Sequence, residues 1–352
     1  MKFTDLTKRT SQWLRGIGPM HDIVVSSRVR FARNITGVPF VSKATKEQAE
    51  SITTRMQEVI EEAKLFDDML YVDVASLGKL QRRLLIERHL ISRQHSIASN
   101  PRSVAISGDE TASIMVNEED HLRIQVIRPG MQLHEAFEEI NRIDDEISQH
   151  VEYAFSPKLG YLTACPTNVG TGLRVSAMLH LPGLKLTGEL DKTLRAARDM
   201  RMAIRGIYGE GSEAMGDFFQ ISNQVTLGVS EQQIVDEFIN IIIPEILTYE
   251  RAARDVLLRN HMNEVDDKIY RALAILQSAR KMCSEEAMFL LSMIRLGVNV
   301  RKLNSISLKD LNEIFLSIQP AHLQRLNESA NTKDKRQQER AKYLREKFAD
   351  VS

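Results

Sequence analysis

Arginines recur beside glycines or inside β-rich runs in four short segments of this sequence. SSRVR supplies Arg28 and Arg30, HLRIQ supplies Arg123, TGLR supplies Arg174 and AIRGIY supplies Arg205. A guanidinium group is planar and permanently charged, and it can bind phosphate oxygens through two parallel hydrogen bonds. A single strand arginine more often extends into solvent or pairs with a surface acid. If the five converge, however, they form a socket for a polyphosphate.

Acidic residues and one cysteine lie in or beside the same segments. Glu118, Glu119 and Asp120 are consecutive, Glu210 lies in YGEGSE, and Cys165 begins CPTNVGTGLR. A solvated acidic turn would explain EED by itself. Beside phosphate-binding arginines, carboxylates can instead hold a cationic substrate or accept its proton. The small residues after the cysteine allow backbone and thiol to approach other groups closely.

The elements that must position these residues are short strands and a few helices. Runs rich in β-branched and aromatic residues predict strands at 23–31, 69–74, 103–107, 112–117, 122–127, 175–181, 203–208 and 218–222. Helical spacing of apolar residues predicts helices at 46–64, 78–90 and 134–150. Arg28 and Arg30 are two residues apart, so a strand directs both side chains to the same face of a sheet.

From about Ser230 onward the pattern is almost wholly helical. Helices are predicted at 230–258, 264–282, 284–297 and 307–319, followed by a charged terminal helix. Gly297 and Pro320 are predicted to be helix stops. The strand-rich first part of the sequence and the helical part after it predict an α+β body followed by a helical C-terminal domain.

Composition excludes several classes of function. The 352 residues carry 47 basic and 47 acidic side chains, so no global field favours nucleic acid. Two cysteines, Cys165 and Cys283, are too few for a disulfide framework or a zinc cluster. No signal peptide is visible, and the longest apolar run, FINIIIPEIL, is too short to cross a bilayer. We therefore expect a cytoplasmic protein that binds neither membrane nor nucleic acid directly.

Four motifs carry a family resemblance. SSRVRFARNI, NEEDHLRIQ, CPTNVGTGLR and RGIYGEGSEAMGDFFQISNQ resemble, in that order, motifs of the phosphagen (guanidino) kinase superfamily. The match covers roughly residues 23–227. It implies a phosphagen-kinase-like catalytic domain over 1–251, with a mainly antiparallel sheet flanked by helices. The all-α C-terminal domain then spans 252–352.

The resemblance implies roles for individual residues. Glu119 and Glu210 would hold a guanidinium group, one of them taking its proton, and Cys165 would polarise it. His89, which helical spacing alone would place on an amphipathic helix, would contact the nucleotide. The residues expected to bind ATP are Ser26, Ser27, Arg28, Val29, Arg30, His89, Arg123, Arg174, Val175, Ser176, Ala177, Met178, Arg205, Gly206, Ile207, Tyr208, Gly209 and Glu210. Mg²⁺ is expected on the nucleotide phosphates, without a dedicated set of protein ligands.

Within the superfamily, the sequence most resembles enzymes that transfer the γ-phosphoryl group of ATP to arginine side chains of proteins. Small-guanidine kinases carry a helical domain ahead of SSRVR, whereas this motif begins here at Ser26. We therefore expect an open site that accepts a peptide-borne arginine. Two alternatives stay open: a small-guanidine kinase, and a non-catalytic adaptor that binds phosphoarginine.

The C-terminal segment RQQERA, 336–341, resembles a phosphoarginine-binding R-D-x-x-R-A motif, with Gln337 in place of the acid. Arg336 and Arg340 are its expected anion ligands, with an allosteric role; a solvated helix end is the alternative. The resemblance also implies partners. These are protein substrates with exposed arginine, a zinc-binding activator, a Clp-type AAA+ protease that recognises marked clients, stress-response repressors, and further copies of the chain in a homodimer or larger homo-oligomer.

Overall fold

A single large antiparallel sheet organises the computed structural model, which describes residues 3, 6, 11–97, 99–206 and 215–351. Its strands are β1 (Val24–Arg33), β2 (Met69–Asp73), β3 (Ser103–Ser107), β4 (Ala112–Val116), β5 (Leu122–Pro129), β8 (Leu173–His180), β9 (Met202–Arg205) and β10 (Phe218–Asn223). Two short strands, β6 (Phe155–Ser156) and β7 (Gly160–Tyr161), form a separate hairpin. The sheet order is β2-β3-β4-β5-β1-β8-β10-β9, and every pairing is antiparallel. This confirms the predicted fold class.

The register of the central strands places the motif arginines on one face. Arg30 lies opposite Gln125 of β5 and Arg174 of β8, while Arg123 lies opposite Ala32, two residues further along β1. Directly opposed residues in an antiparallel ladder point to the same side of the sheet. The alternation of side chains then adds Arg28 to that face.

The opposite face carries the main hydrophobic core. Val29, Phe31, Ile124 and Val175 are buried there. The amphipathic helix α4 (Leu133–Ser148) packs on this side against β1 and β5. Apolar packing of this face fixes the strand register, since a slip of one residue would bring the charged side chains into the core.

Thirteen α-helices lie in the described part of the chain. They are α1 (Lys46–Glu62), α2 (Lys79–Glu87), α3 (Arg93–Ile97), α4 (Leu133–Ser148), α5 (Pro182–Leu186), α6 (Leu190–Asp199), α7 (Glu231–Glu237), α8 (Ile243–Asn260), α9 (Met262–Ser278), α10 (Ser284–Asn299), α11 (Leu308–Ser317), α12 (Pro320–Leu326) and α13 (Lys333–Phe348). Short 3₁₀ turns occur at Gln12–Leu14 and Pro166–Asn168, and a π-helical segment at Phe238–Ile242.

Three helix predictions differ from the structure. The helix expected at 230–258 is interrupted by the π-helical segment between α7 and α8. Gly297 does not end α10 but lies inside it. A glycine is needed at this position because a Cβ would come within 2.9 Å of Ile269 Cγ2 on α9. The helix expected at 78–90 ends at Glu87. Helix α8 also runs across the boundary predicted between 251 and 252, and that division of the chain stays a prediction.

The C-terminal helices pack against one end of the arginine-bearing face. Met178 of that face packs against their hydrophobic cluster. On α10, Arg295 donates a hydrogen bond of 2.8 Å to the His21 carbonyl oxygen. Ser292 Oγ donates to Asp217, with His180 Nε2 2.8 Å from the same hydroxyl. These polar contacts fix the helical region to the end of β8 and to the segments that precede β1 and β10.

Candidate active site

Four of the five motif arginines line one cavity of about 320 Å³ above the sheet: Arg28, Arg30, Arg123 and Arg205. Arg174 lies beside them, opposite Arg30 in the ladder. The volume lies within the range of small-molecule sites. The structure thus brings together residues that are up to 177 positions apart in the sequence, from Arg28 to Arg205.

The clustering of these cations is electrostatically unfavourable without an anion. Burial, and then the charges of Arg123, Arg174 and Arg205, lower the pKa of Arg28 from 12.5 to about 9. The same causes, with Arg28 added, lower the pKa of Arg30 well below its ordinary value. Desolvation and like charges both disfavour a charged form. A bound polyanion would remove this penalty.

Arg30 provides a further indication that an anion belongs in this cavity. It is 9% exposed, and its Nε and Nη2 atoms are buried without a hydrogen-bond partner among the described residues. Buried donors of this kind normally have partners. Guanidinium N–H groups suit phosphate oxygens. The residues lining this cavity therefore fit a nucleotide polyphosphate.

Glu118 holds Arg123 in position. Its Oε2 lies 2.7 Å from Arg123 Nη1, and its other oxygen accepts a hydrogen bond from Ser92 Oγ. Burial opposes the charged carboxylate, but Arg123 and the Ser92 hydrogen bond more than offset it and lower the pKa of Glu118 to about 2. Burial also disfavours the charge of Arg123, yet Glu118 raises its pKa above the ordinary value. Arg123 is thus fixed by a carboxylate and is preorganised as a charged group.

The loop carrying Cys165 is held against the acidic turn by a buried hydrogen-bond network. Asp120 Oδ1 accepts a hydrogen bond of 2.6 Å from Asn34 Nδ2 and another of 2.6 Å from the Ala164 N–H. Because Ala164 precedes Cys165 and Asp120 follows Glu119, this contact brings the two predicted catalytic residues into one region. Glu119 is half-buried there.

Cys165 itself is half-buried and lies directly before the 3₁₀ turn Pro166–Asn168. Its Sγ lies 3.0 Å from Thr167 Oγ1. Further along the loop Gly170 has φ +114°, and a Cβ there would overlap the Thr226 carbonyl oxygen. The loop therefore needs glycine for a close backbone approach, as the CPTNVGTG sequence indicates.

His89 lies at the edge of the arginine cavity, inside the predicted helix 78–90 but outside the observed helix α2. It follows the end of α2 with φ 60°, a left-handed conformation. Gln125 Nε2 donates a hydrogen bond of 2.6 Å to its carbonyl oxygen. Burial, and then Arg28, lower the pKa of His89 to about 3, so the imidazole is neutral at physiological pH. A neutral aromatic ring beside the cations suits contact with a nucleotide base or sugar.

Not every residue of the predicted nucleotide-binding runs directs its side chain toward the cavity. Side chains alternate along a strand, so four of them face the hydrophobic core or backbone on the other side of the sheet. These are Ser27, Val29, Val175 and Ala177. Gly206 is buried just after β9. Ile207, Tyr208, Gly209 and Glu210 lie outside the described residues.

Neither a metal centre nor a membrane span is found in the parts of the chain that the structure describes. No three His, Cys, Asp or Glu side chains cluster there closely enough to hold a metal ion. Across those same ranges, every helix is too short or too polar to span a bilayer.

Comparisons with known proteins agree with this geometry. The family model of the ATP:guanido phosphotransferase C-terminal catalytic domain matches residues 51–253, and that of the protein-arginine kinase McsB C-terminal domain matches 262–352. The protein-arginine kinase of Pelotomaculum thermopropionicum is 43% identical over 344 residues, covering 97% of this chain and 96% of that protein. The protein-arginine kinase of Halothermothrix orenii is 42% identical, covering 98% and 99%. The chain belongs to the protein-arginine kinase family of phosphotransferases.

Solved structures relate this protein-arginine kinase family member to the wider phosphagen kinase fold. The duplicated taurocyamine kinase of Schistosoma mansoni, with bound transition-state analogue components, superposes with a TM-score of 0.59 at 26% identity. That alignment covers 71% of this chain and 36% of the other. Lombricine kinase superposes with a TM-score of 0.56 at 27% identity, covering 65% and 66%.

The structure of this family member also places the two arginines predicted in its C-terminal motif. Both lie on α13, four residues apart. Arg340 is 2% exposed and donates hydrogen bonds to the carbonyl oxygens of Ile318, at 2.9 Å, and Met282, at 3.0 Å. Arg336 is half-buried and donates to the Asn331 carbonyl oxygen at 3.0 Å. Arg340 thus links three C-terminal segments, and phosphoarginine binding by the pair stays a prediction.

Three residues of this kinase-family site were not singled out from the sequence. Glu118 neutralises Arg123, a role that the sequence did not assign; the predicted role of its neighbour Glu119, to hold the acceptor guanidinium, stays a prediction. Asn34 and Asp120 position the cysteine loop. All three belong to the quoted motifs, so the signal was present, but spacing alone could not assign partners.

Proposed function

We propose that this chain catalyses ATP-dependent phosphorylation of arginine side chains in proteins. The observation that carries the proposal is the cluster of Arg28, Arg30, Arg123 and Arg205 around one cavity, with two buried N–H donors of Arg30 left over. Relatives named protein-arginine kinase that align over nearly their whole length support the choice of acceptor.

On the donor side, the arginines act by position and charge. Phosphoryl transfer spreads negative charge over the equatorial oxygens of the γ-phosphoryl group, and fixed cations stabilise that charge. Arg123 is held ready by Glu118, so it need not reorient during the reaction. Mg²⁺ bound to the nucleotide phosphates would supply additional positive charge there. In the transfer itself, the bond from the γ-phosphorus to its bridging oxygen breaks and an N–P bond forms.

On the acceptor side, Glu119 and Cys165 orient a guanidinium group. A free arginine side chain has a pKa of about 12.5 or more, far above that of a carboxylate, so a glutamate cannot deprotonate it in advance. The nitrogen instead loses its proton late, as the N–P bond forms, and Glu119 or Glu210 receives it. The thiol polarises the guanidinium without forming a covalent bond. The Asp120–Ala164 contact keeps the thiol and Glu119 together.

The surroundings of the acceptor end suit an arginine that is part of a polypeptide. The β6–β7 hairpin contacts the cysteine loop through the Tyr161 N–H and the Gly170 carbonyl oxygen, at 2.8 Å. Phe155 and Leu159 on this hairpin are 57% and 42% exposed. Leu227, next to the Thr226 contact of the same loop, is 51% exposed. Apolar side chains beside the site can contact residues that flank a substrate arginine.

The cellular setting extends the proposal by family resemblance alone. We propose that the protein acts in the cytoplasm as a homodimer or larger oligomer and depends on a zinc-binding activator. Its phosphorylated clients would be degraded by a Clp-type AAA+ protease, and stress-response repressors would be among them. Phosphoarginine bound near Arg336 and Arg340 would regulate activity.

The proposal is tested by incubating the protein with ATP, Mg²⁺ and an arginine-rich protein, then measuring intact mass at neutral pH. We expect added phosphoryl groups that are lost in acid and stable in base, as for an N–P bond. Free arginine, offered alone, should be a poor acceptor. Efficient phosphorylation of free arginine would favour a small-guanidine kinase, and no product with either acceptor would refute the kinase proposal.

Two matched variants show whether the arginine cavity is responsible. Arg30→Met should abolish transfer, because it removes the buried donors. Arg128→Met should retain it, since Arg128 lies in the same sheet, faces the other side and pairs with Glu139. Equal activity of the two variants would contradict the role of the cavity.

A further inference from the structure

A second, smaller pocket of about 60 Å³ adjoins the arginine cavity. The two share the side chains of Arg28, His89 and Gln220, so they are neighbouring parts of one depression above the sheet. The character of the smaller pocket is different, because its lining is mainly apolar. It includes Val25, Ile127, Met178 and Phe218 from the sheet. A polyphosphate socket beside an apolar pocket matches the two halves of a nucleotide.

The outer wall of this pocket comes from parts of the chain far from the sheet motifs. Phe315 and Leu316 line it from the end of α11, and Gln319 lines it from the position directly before α12. Trp13 lines it from the N-terminal 3₁₀ turn. The Phe315 ring meets Phe218 of β10 edge-on, with centroids 4.9 Å apart. The wall therefore packs directly against the sheet.

Polar contacts hold this wall in place. Asn312 Nδ2 donates a hydrogen bond of 3.0 Å to the Leu14 carbonyl oxygen and Asn312 Oδ1 accepts one of 2.7 Å from Arg295. The start of α12 is held by Glu87, whose carboxylate accepts from the Ala321 N–H at 2.9 Å and lies 2.9 Å from His322 Nδ1. Glu87 is two residues before His89. The segment that contains Glu87 and His89 thus anchors the start of α12 and also carries the histidine expected to contact the nucleotide.

Trp13 has a donor available for a ligand. Its side chain is 6% exposed, and Nε1 is buried without a hydrogen-bond partner among the described residues. Its ring meets His89 edge-on, with centroids 5.3 Å apart and planes at 83°. A buried indole N–H usually has an acceptor. An acceptor atom on an aromatic ring placed beside His89 would satisfy it.

We propose that the C-terminal region forms the outer wall of the nucleotide-base pocket, in which Trp13, Phe315 and Gln319 hold a purine base beside His89. The inference rests on the proposed use of ATP. The pocket is small for a base, since ligand sites usually exceed about 300 Å³. The sheet side is fixed by strand pairing, so the side chains of the wall must rearrange around the base when it enters. Nucleotide binding and docking of the C-terminal helices are therefore coupled.

Trp13 is the only tryptophan in the chain, so intrinsic tryptophan emission reports on this wall alone. We expect ADP to change the emission of the full-length protein in a saturable way. Inorganic tripolyphosphate should compete with ADP for the arginine cavity and leave the emission nearly unchanged. Calorimetry gives the binding of both ligands independently of the fluorescence.

Three variants complete the test. Trp13→Phe keeps a ring in place and removes the donor, and it should raise the KM for ATP about fivefold, the effect of one hydrogen bond. Gln319→Ala should raise it similarly, with kcat little changed. Lys309→Ala is the control on α11, because Lys309 is exposed and pairs only loosely with Glu313. Thermal melts show whether each variant is folded.

The outcomes separate the wall from the kinase activity. If ADP binds by calorimetry without changing Trp13 emission, and the KM for ATP is unchanged in Trp13→Phe and Gln319→Ala, the wall is refuted and the kinase proposal stands. An equal emission change with tripolyphosphate would also refute the wall, because its source would be the arginine cavity. Absence of any ADP binding would refute both proposals.

Discussion

Replacing Arg28 by methionine should stabilise the nucleotide-free protein while abolishing its nucleotide binding. Arg28 lies on the arginine face, where burial and the charges of Arg123, Arg174 and Arg205 lower its pKa to about 9. The lowered pKa means that the folded protein disfavours the charged side chain relative to the unfolded chain. Methionine keeps the unbranched apolar part of the side chain and has no charge, so the substitution removes the repulsion.

The size of the effect follows from that pKa. A fall from 12.5 to about 9 corresponds to about 5 kcal/mol, at about 1.4 kcal/mol for each factor of ten. Arg28 is half-buried, so cavity solvent screens part of this, and we expect a gain of about 1–3 kcal/mol. For a chain of this size that gain corresponds to a rise in Tm of roughly 2–6 °C.

The gain should depend on pH in a defined direction. At pH 7 Arg28 is charged in both the folded and the unfolded states, and the folded state bears the full penalty. As the pH rises through about 9, the folded protein releases the proton and the penalty falls. The advantage of Arg28→Met over the wild type should therefore be smaller at pH 10 than at pH 7.

Thermal unfolding with and without ADP and Mg²⁺ measures both parts of the prediction. Saturating ligand at about 100 Kd should stabilise the wild type by about 2.7 kcal/mol and the variant hardly at all. Arg33→Met is the matched control, because Arg33 lies on the opposite face of β1 and its Nη2 lies 2.8 Å from Asp144. Removing that paired cation should destabilise the protein by about 3–5 kcal/mol, with or without ligand. A lower Tm for nucleotide-free Arg28→Met than for the wild type would refute the reasoning.

Two further predictions concern the acids and the thiol. Cys165→Ser and Glu119→Gln should each lower kcat at least about a hundredfold while the KM for ATP changes little, since both act on the acceptor; near-normal initial rates would contradict this placement. Glu118→Gln should lower the free energy of unfolding by roughly 3 kcal/mol at pH 7, because Arg123 and Ser92 hold the pKa of Glu118 near 2 against an ordinary 4.5. That difference is complete above about pH 4.5 and disappears as the pH falls toward 2, so urea unfolding at pH 7 and pH 3 should show a smaller gap at the lower pH.

The sheet was largely predictable from the sequence, because alternating patterns and turn residues mark its strands. The position of Arg28 and Arg30 on one face follows from their spacing alone. Their convergence with Arg123 and Arg205 does not, since it depends on the pairing of β1 with β5 and on the order β1-β8-β10-β9 of strands distant in sequence. The resemblance to a known superfamily supplied that information.

Local geometry was less predictable where tertiary contacts override sequence preference. His89 extends an apolar helical pattern but adopts φ 60° after α2, and Gln125 binds its carbonyl oxygen. Glycine is a usual helix stop, yet α10 continues through Gly297, where the close packing of α9 leaves no room for a Cβ. The pairing of Arg123 with Glu118, not Glu119, likewise depends on the turn at the start of β5. No spacing rule distinguishes between adjacent acids.

If the C-terminal region forms the wall of the base pocket as proposed, nucleotide binding and docking of the C-terminal helices control each other. The cations are held on their face by a hydrophobic core on the other side of the same sheet, so the fold tolerates their repulsion until an anion binds. The C-terminal region lines the neighbouring pocket with Phe315 and Gln319, and Glu87 of α2 anchors the start of α12. If docking of these helices strengthens nucleotide binding, linkage requires nucleotide to strengthen their docking by the same factor. Any change near α12 or Arg340 that loosens the wall must then weaken ATP binding, even though it touches no residue of the phosphate site.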